Sequence, residues 1–247
     1  MTNILISGTN KGIGRAMVER YLTRENVTVI ASVRNPNSPE SVSLSRLPTG
    51  NGSRVIIVKI DATSDTDAKE AVNFLVSQGI SSLDIVIANA GTFPTAEFTT
   101  VADANITDIQ HSLDVNTVGP VRLFQATLPL LLKSPSPRFI LISSLMGTIT
   151  GIKDIPLKVA AYGASKAAAN FFVRKINYEQ EKIATLAIHP GAVKTVSGND
   201  AARAAGYPSA FVEVEDSVNA LIPKIDGLTK ENGAGEFWSF DDTTIAW

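Results

Sequence analysis

Short apolar runs alternate with segments of helical spacing along the whole of this 247-residue chain, and that alternation restricts its fold more than any other feature. The runs are Asn3–Ser7, Val27–Val33, Arg54–Ile60, Asp84–Ala88, Phe139–Ser144, Ala184–Ile188 and Gly235–Phe240. Between them, helical spacing marks Ile13 to Leu22, Ala68 to Val76, Ile106 to Lys133, and an Ala-rich stretch from Ala161 to Gln180. Strands alternating with helices, with no break in composition and no internal repeat, predict an α/β fold. The expected form is a doubly wound, seven-stranded parallel sheet flanked by helices, one unit spanning 1–247.

Composition narrows the function classes. The formal charge is −2, and no basic cluster marks a nucleic-acid surface. Cysteine is absent, which excludes disulfides and thiolate metal sites, and His111 and His189 are the only imidazoles, so no metal is expected. The start, Met1-Thr2-Asn3, enters a strand without the charged and apolar regions of a signal peptide, and no apolar run reaches the ~18 residues of a membrane span. A cytoplasmic chain with no membrane or nucleic-acid partner is expected.

The first run ends in Gly8, with Gly12 and Gly14 ahead of a helix. Strand, glycine turn and helix in that order make the first unit of a dinucleotide-binding fold. The glycines let the backbone approach a pyrophosphate, which sits on the helix N-terminal N–H groups. The second run ends in Arg34, where NAD sites commonly carry an acid for the ribose 2′-hydroxyl, and Lys11 lies in the glycine turn. Two cations converging there suit a 2′-phosphate, hence NADP(H); as ordinary surface charges they would carry no such meaning.

Tyr162 and Lys166 are four residues apart, on one face of a helix. An ammonium near a phenol favours the phenolate, which leads us to expect a Tyr162 pKa lowered from its usual ~10 and a side chain able to exchange a proton with a carbonyl or alcohol oxygen. The alternative is a half-buried anchor beside a solvated lysine.

Gly8-x-x-x-Gly12-x-Gly14, Asn89-Ala90-Gly91, Asn116, Ser144, Tyr162-x-x-x-Lys166 and Pro190-Gly191-x-Val193-x-Thr195 occur in that order. With them the chain resembles the short-chain dehydrogenase/reductase family over nearly its whole length. Within it, Ala161-Tyr162-Gly163 with Ser165-Lys166, the run from Ala168-Ala169-Asn170 to Arg174-Lys175, and the Ala246-Trp247 ending look most like the fungal norsolorinic acid ketoreductase branch.

The resemblance implies a role for each position. Tyr162 would be the general acid in reduction, and Lys166 would depress its pKa and bind the nicotinamide ribose. Ser144 would hydrogen-bond the substrate carbonyl, and Asn116 would hold a water that relays protons to Lys166. Asn89 and Asp61 would meet the nucleoside regions, and Val193 and Thr195 the nicotinamide carboxamide. Asn10, Ile13, Ala62, Ala90, Gly91, Pro190 and Gly191 complete the implied cofactor set. Asp61 could instead cap its own turn, and Thr195 could be a loop hydroxyl. His189 reads as a structural residue at a strand end.

Ser144 precedes Tyr162 by 18 positions, so 151–160 reads as an insertion beside the site and leaves Ser143 or Ser144 to face the substrate; Ser144 matches the second serine of the family's pair. Asn35 to Ser53 reads as an irregular loop, and Val196 to Phe211 as a mobile lid. Pro120, lacking an N–H, should orphan the carbonyl of Asn116 and kink the helix, turning that carbonyl toward a buried water, or else simply separate two helices.

The expected activity is NADPH-dependent reduction of an apolar, polyketide-type aromatic ketone. Phe93, Phe98, Met146, Tyr207 and Phe211 fall in segments bordering the cleft. Two other readings stand beside it: an alcohol dehydrogenase or general carbonyl reductase on small substrates, and a nucleotide-sensing regulator without chemistry. Ala164, Ala167 and Ala168 would permit close helix packing, and the family forms dimers or tetramers through this helix, so a homodimer or homotetramer is expected.

Overall fold

The computed structural model describes residues 1–93, 98–155 and 157–247. The apolar runs become seven strands: β1 (Thr2–Ser7), β2 (Val27–Val33), β3 (Arg54–Lys59), β4 (Ile85–Ala88), β5 (Arg138–Ile142), β6 (Ala184–His189) and β7 (Glu236–Ser239). They form one sheet in the order β3-β2-β1-β4-β5-β6-β7, with every ladder parallel. This is the Rossmann-type arrangement expected, with the strand order reversing between β1 and β4.

Alternate strand residues serve two cores. Leu5, Ile30, Val86, Phe139 and Leu141 face α3 (Asp67–Ser77), α5 (Gly119–Leu131) and α6 (Ala160–Glu179). Ile4, Ile6, Val29, Ile87 and Ile140 face α1 (Gly12–Leu22) and α8 (Val214–Gly227). Because both faces are covered, the central strands are apolar throughout and do not alternate with polar residues.

Three segments differ from expectation. Within Asn35–Ser53, Ser38 caps a five-residue helix, α2 (Pro39–Ser43), by accepting the Ser41 N–H, and Pro39 fits its first turn. A 3₁₀ turn at Leu44–Arg46 then buries Leu44. The region 196–211 holds regular structure: Thr195 caps α7 (Val196–Ala204) by accepting the Gly198 N–H at 3.0 Å. The third is α8, for which no element was expected; its Val218, Leu221, Ile222 and Ile225 are buried against the sheet.

The interruption at Gly119-Pro120 is real but is neither a simple kink nor a break. After α4 (Ile106–Leu113), residues Asp114–Val118 form one π-helical turn, closed by the Gly119 N–H bonding the Asp114 carbonyl, and α5 follows with Pro120 in its first turn. The extra residue per turn accommodates a proline where no N–H is available.

Outside Pro156, the insertion at 151–160 is described. A 3₁₀ turn at Ile152–Asp154 follows a tie to the C-terminal tail, in which Thr148 Oγ1 donates to the Ala246 carbonyl at 2.6 Å and the Thr150 N–H to that of Trp247 at 2.9 Å. The Trp247 ring stacks on Phe237 with 5.5 Å between centroids. No helix among the described residues is long and apolar enough to cross a membrane.

Leu221, with none of its surface exposed, tests the unforeseen α8. Leu221→Ala should cost about 2–5 kcal/mol, read as a lower urea midpoint, whereas Val76→Ala on the exposed side of α3 should stay within about 0.5 kcal/mol.

Candidate active site

The crevice between β1 and β4 begins where β1 ends. The Ser7 Oγ accepts the N–H groups of Asn89 (3.0 Å) and Ala90 (2.9 Å), and Asn89 Nδ2 donates to the carbonyls of Ser7 (2.8 Å) and Gly8 (3.2 Å). Gly8 turns the chain at φ +70°, a conformation that favours glycine. A Cβ on Gly14 would stand 2.4 Å from the Gly8 carbonyl oxygen and from Asn89 Nδ2. The turn, with Asn10 and Ile13 in it, is thus packed backbone to backbone against Asn89-Ala90.

Lys11 at the N-cap of α1 offers no side-chain cap, and the first turn holds no acid. Uncapped N–H groups, the positive end of the helix dipole and glycines that put no side chain of their own over the turn fit a dinucleotide pyrophosphate. Thr195 reaches the same place from beyond β6, its Cγ2 being 3.1 Å from where a Gly12 Cβ would stand. Its hydroxyl is committed to the α7 cap. Pro190 accepts the Ser217 hydroxyl at 2.7 Å, Gly191 adopts φ +88°, and Val193 bridges to Val212.

On the β2–β3 side, Arg34 and Lys11 are both exposed. Asp61 folds into its own turn, accepting the Thr63 N–H at 2.9 Å and hydroxyl at 2.8 Å. Those bonds, with help from the Arg34 guanidinium, hold its carboxyl below the usual range. Lys11 lies within electrostatic reach of Glu40. Each cation therefore stands by a carboxylate. Ala62 lines a narrow cavity with Ser7, Ile60, Ala90, Gly119 and Pro120.

The other half of the site gathers around the N-terminal turns of α6. Lys166 is buried, and its Nζ donates to the Ile142 carbonyl at 2.9 Å. Asn116 is fully buried; its Oδ1 accepts the Thr92 N–H at 2.8 Å, while its Nδ2 donates to the Thr92 carbonyl and Ser165 Oγ, each at 3.0 Å. A Cβ on Gly91 would come 3.1 Å from Asn116 Oδ1 and 3.7 Å from Lys166 Nζ, so both side chains converge where glycine leaves them room.

Tyr162 shares a hydrogen bond with Ser144, and Phe93 packs on its ring with centroids 4.0 Å apart. Ser143, by contrast, donates to Asn170 Oδ1 at 2.5 Å, and Asn170 in turn bonds the Gly147 carbonyl. Ser144 Oγ accepts the Met146 N–H at 3.2 Å, whereas the Ser143 hydroxyl is taken up by Asn170. Asn170, Ser165 and Phe93 were not singled out for these contacts in the sequence, although Asn170 follows Lys166 by four residues on the same face.

The electrostatics overturn one expectation. Burial pushes the Tyr162 phenol up to about 12, opposed only in part by the Ser144 bond. The Lys166 Nζ lies 5.7 Å from the ring centroid, and burial lowers its own pKa to about 8. Desolvation disfavours both charged forms. His189, lowered to about 4 by burial, is neutral near pH 7 and packs edge-on to Phe240. Among the described residues, no cluster of metal-ligating side chains is present.

A parallel sheet of this order, with a glycine turn at its reversal point and a buried lysine beside a tyrosine and a serine, defines a Rossmann-fold oxidoreductase. The chain belongs to the short chain dehydrogenase family, whose sequence profile matches residues 2–205. It is 38% identical over 252 residues to the short-chain dehydrogenase srdF of Neurospora crassa, covering 100% of this chain and 98% of that one. It is also 38% identical to the norsolorinic acid ketoreductase of Aspergillus parasiticus, over 96% of this chain and 87% of the relative. Among solved structures, an NADPH-bound carbonyl reductase from chicken fatty liver superposes with TM-score 0.85 at 26% identity, over 100% and 99% of the two chains.

The Lys166 shift has a definite sign. Folded Lys166 releases its proton near pH 8 and the unfolded chain near 10.5, so between these values the unfolded state holds more protons and stability rises with pH. Relative to Lys166→Met, the wild type should gain about 2 kcal/mol between pH 7.5 and 9.5 in urea unfolding. A pH-independent difference would contradict the burial argument.

Proposed function

We propose that this chain is an NADPH-dependent ketoreductase that reduces an apolar, polyketide-type aromatic ketone to a secondary alcohol, with one unit over 1–247 holding both cofactor and substrate. The observation that carries the reading is Tyr162 held between Ser144, Phe93 and the buried Lys166. The cofactor supplies the hydride. The Gly8–Gly14 turn would hold the pyrophosphate, with Arg34 and Lys11 on the 2′-phosphate. Asp61, Ala62 and Asn89 would line the nucleoside end, and Val193 and Thr195 the nicotinamide end.

Tyr162, its pKa raised to about 12, is protonated near neutral pH and gives its hydroxyl proton to the carbonyl oxygen, while Ser144 orients that oxygen and stabilises the developing charge. The side-chain bonds of Asn116 to Thr92 and Ser165 support a positioning role, with proton relay left to its backbone. Apolar substrate preference is supported by Phe93 and Phe98, 5.4 Å apart beside Tyr162, and by the exposed, edge-packed pair Tyr207 and Phe211. It is supported too by the norsolorinic acid ketoreductase relatives. NADPH in the chicken carbonyl reductase supports the cofactor. We place the enzyme in the cytoplasm as a homodimer or homotetramer joined through α6, whose outer face exposes Phe171 (64%) and Tyr178 (71%).

Two measurements test the reading. Steady-state kinetics on a panel of aryl and aliphatic ketones should show at least a tenfold preference for NADPH over NADH, the order given by two partly screened charge-assisted contacts. Equal efficiency with NADH removes the 2′-phosphate role, and no turnover on any ketone favours a nucleotide sensor. Tyr162→Phe should lower kcat about 10²–10⁴-fold while leaving NADPH binding intact.

A further inference from the structure

Arg122 lies near the start of α5, which continues without a break from α4 through the π turn, so no free helix N-terminus faces it. Its guanidinium reaches out of the helix in three directions. Nε donates to Asp65 Oδ1 at 2.7 Å, and Nη1 donates to Asp114 Oδ1 at 2.7 Å and to the Ala62 carbonyl at 3.0 Å. Only 21% of the side chain is exposed, although Asp65 is 83% exposed.

These contacts join two segments that otherwise meet only by packing. Asp61 to Asp65 is the loop after β3, and its rear end is fixed by Asp67, which accepts the Asp61 N–H at 2.9 Å and the Ser64 hydroxyl at 2.9 Å. Its front end rests on α5: a Cβ on Gly119 would stand 2.9 Å from the Ala62 Cβ. Asp114 begins the π turn that carries Asn116. Between that loop and α5 lies only a void of about 20 Å³, lined by Ser7, Ala62, Ala90, Gly119 and Pro120, so the loop rests closely on the helix.

We infer that Arg122 is a positioning residue for the cofactor: by tying Ala62 and Asp65 to α5 and Asp114, it fixes the Asp61–Ala62 loop that would face the adenosine half of NADP(H). The inference rests on the cofactor reading given above, and no ligand contact is assigned to Arg122 itself. Arginine is required because its planar fork donates to two carboxylates and a carbonyl at once, which a lysine ammonium does not reproduce in that geometry.

The test uses 2′,5′-ADP, which carries the adenosine half without the nicotinamide, so that binding is read apart from chemistry. By calorimetry, Arg122→Ala should bind it about tenfold more weakly, the scale of one lost charge-assisted hydrogen bond. KM for NADPH should rise in parallel while kcat falls by less than the affinity does, since Arg122 touches none of Ser144, Tyr162 or Lys166. Arg122→Lys keeps a charge for Asp65 and Asp114, and should recover thermal stability without recovering 2′,5′-ADP affinity. This variant keeps the inference falsifiable if the alanine variant does not fold. Affinity within twofold of wild type in either variant, or a kcat that falls with KM unchanged, overturns the role. A wild-type chain that binds no 2′,5′-ADP overturns the cofactor reading itself, and the role of Arg122 with it.

Discussion

The fold opens at one place because Ser7 and Asn89 hold it open there. Side by side in the sheet, β1 and β4 send their chains to opposite faces, and the hydroxyl and amide of these residues satisfy the backbone groups that the divergence leaves over. Everything on the nucleotide side is measured from this contact. The Gly8 carbonyl that Asn89 holds is the atom that forbids a side chain at Gly14, and the short distance from Gly8 to Ala90 closes the floor. A larger residue at any of these points would displace the α1 N-terminus from the crevice.

The chemical half depends on α6 in a different way. Twenty residues long, it inserts Lys166 between β5 and the 89–93 segment, and the ammonium is satisfied by a strand carbonyl. Asn116, from the widened helical turn, locks Thr92 and so places Phe93 on the Tyr162 ring. The tyrosine is thereby dried and kept protonated by its neighbours. Its state is set by burial, opposed in part by Ser144.

How much of this was legible in the sequence follows from the range of the interactions. β1, β2 and β5 were readable because burial on both faces leaves a continuous apolar run. The spacing of Tyr162 and Lys166 was readable because helix geometry is local. α8 was hidden because Pro223 and its charged face blur a periodicity that only contact with α1 and the sheet makes decisive. α2 is held by a local Ser38 cap that a Pro- and Ser-rich stretch disguises. The assignment of Ser143 to Asn170 spans 27 residues, and the contacts of Arg122 span up to 60, so neither is visible in any window. The direction of the Tyr162 shift was misjudged for the same reason: charge spacing can be read along a helix, but desolvation cannot.

The seam between β1 and β4 also bears on how the chain reaches this structure. Ile4 pairs with Val29 across one ladder and with Ile85 across the other, so the two pairings of β1 close loops of very different length. Loop-closure entropy grows only logarithmically, and the difference amounts to about 1 kcal/mol against the β4 side. The β1–β4 ladder is also the most distant in sequence of the six, and it pairs only three residues. The crevice that accepts a nucleotide therefore lies along the entropically most demanding join in the sheet, where a bound dinucleotide would bridge the two halves.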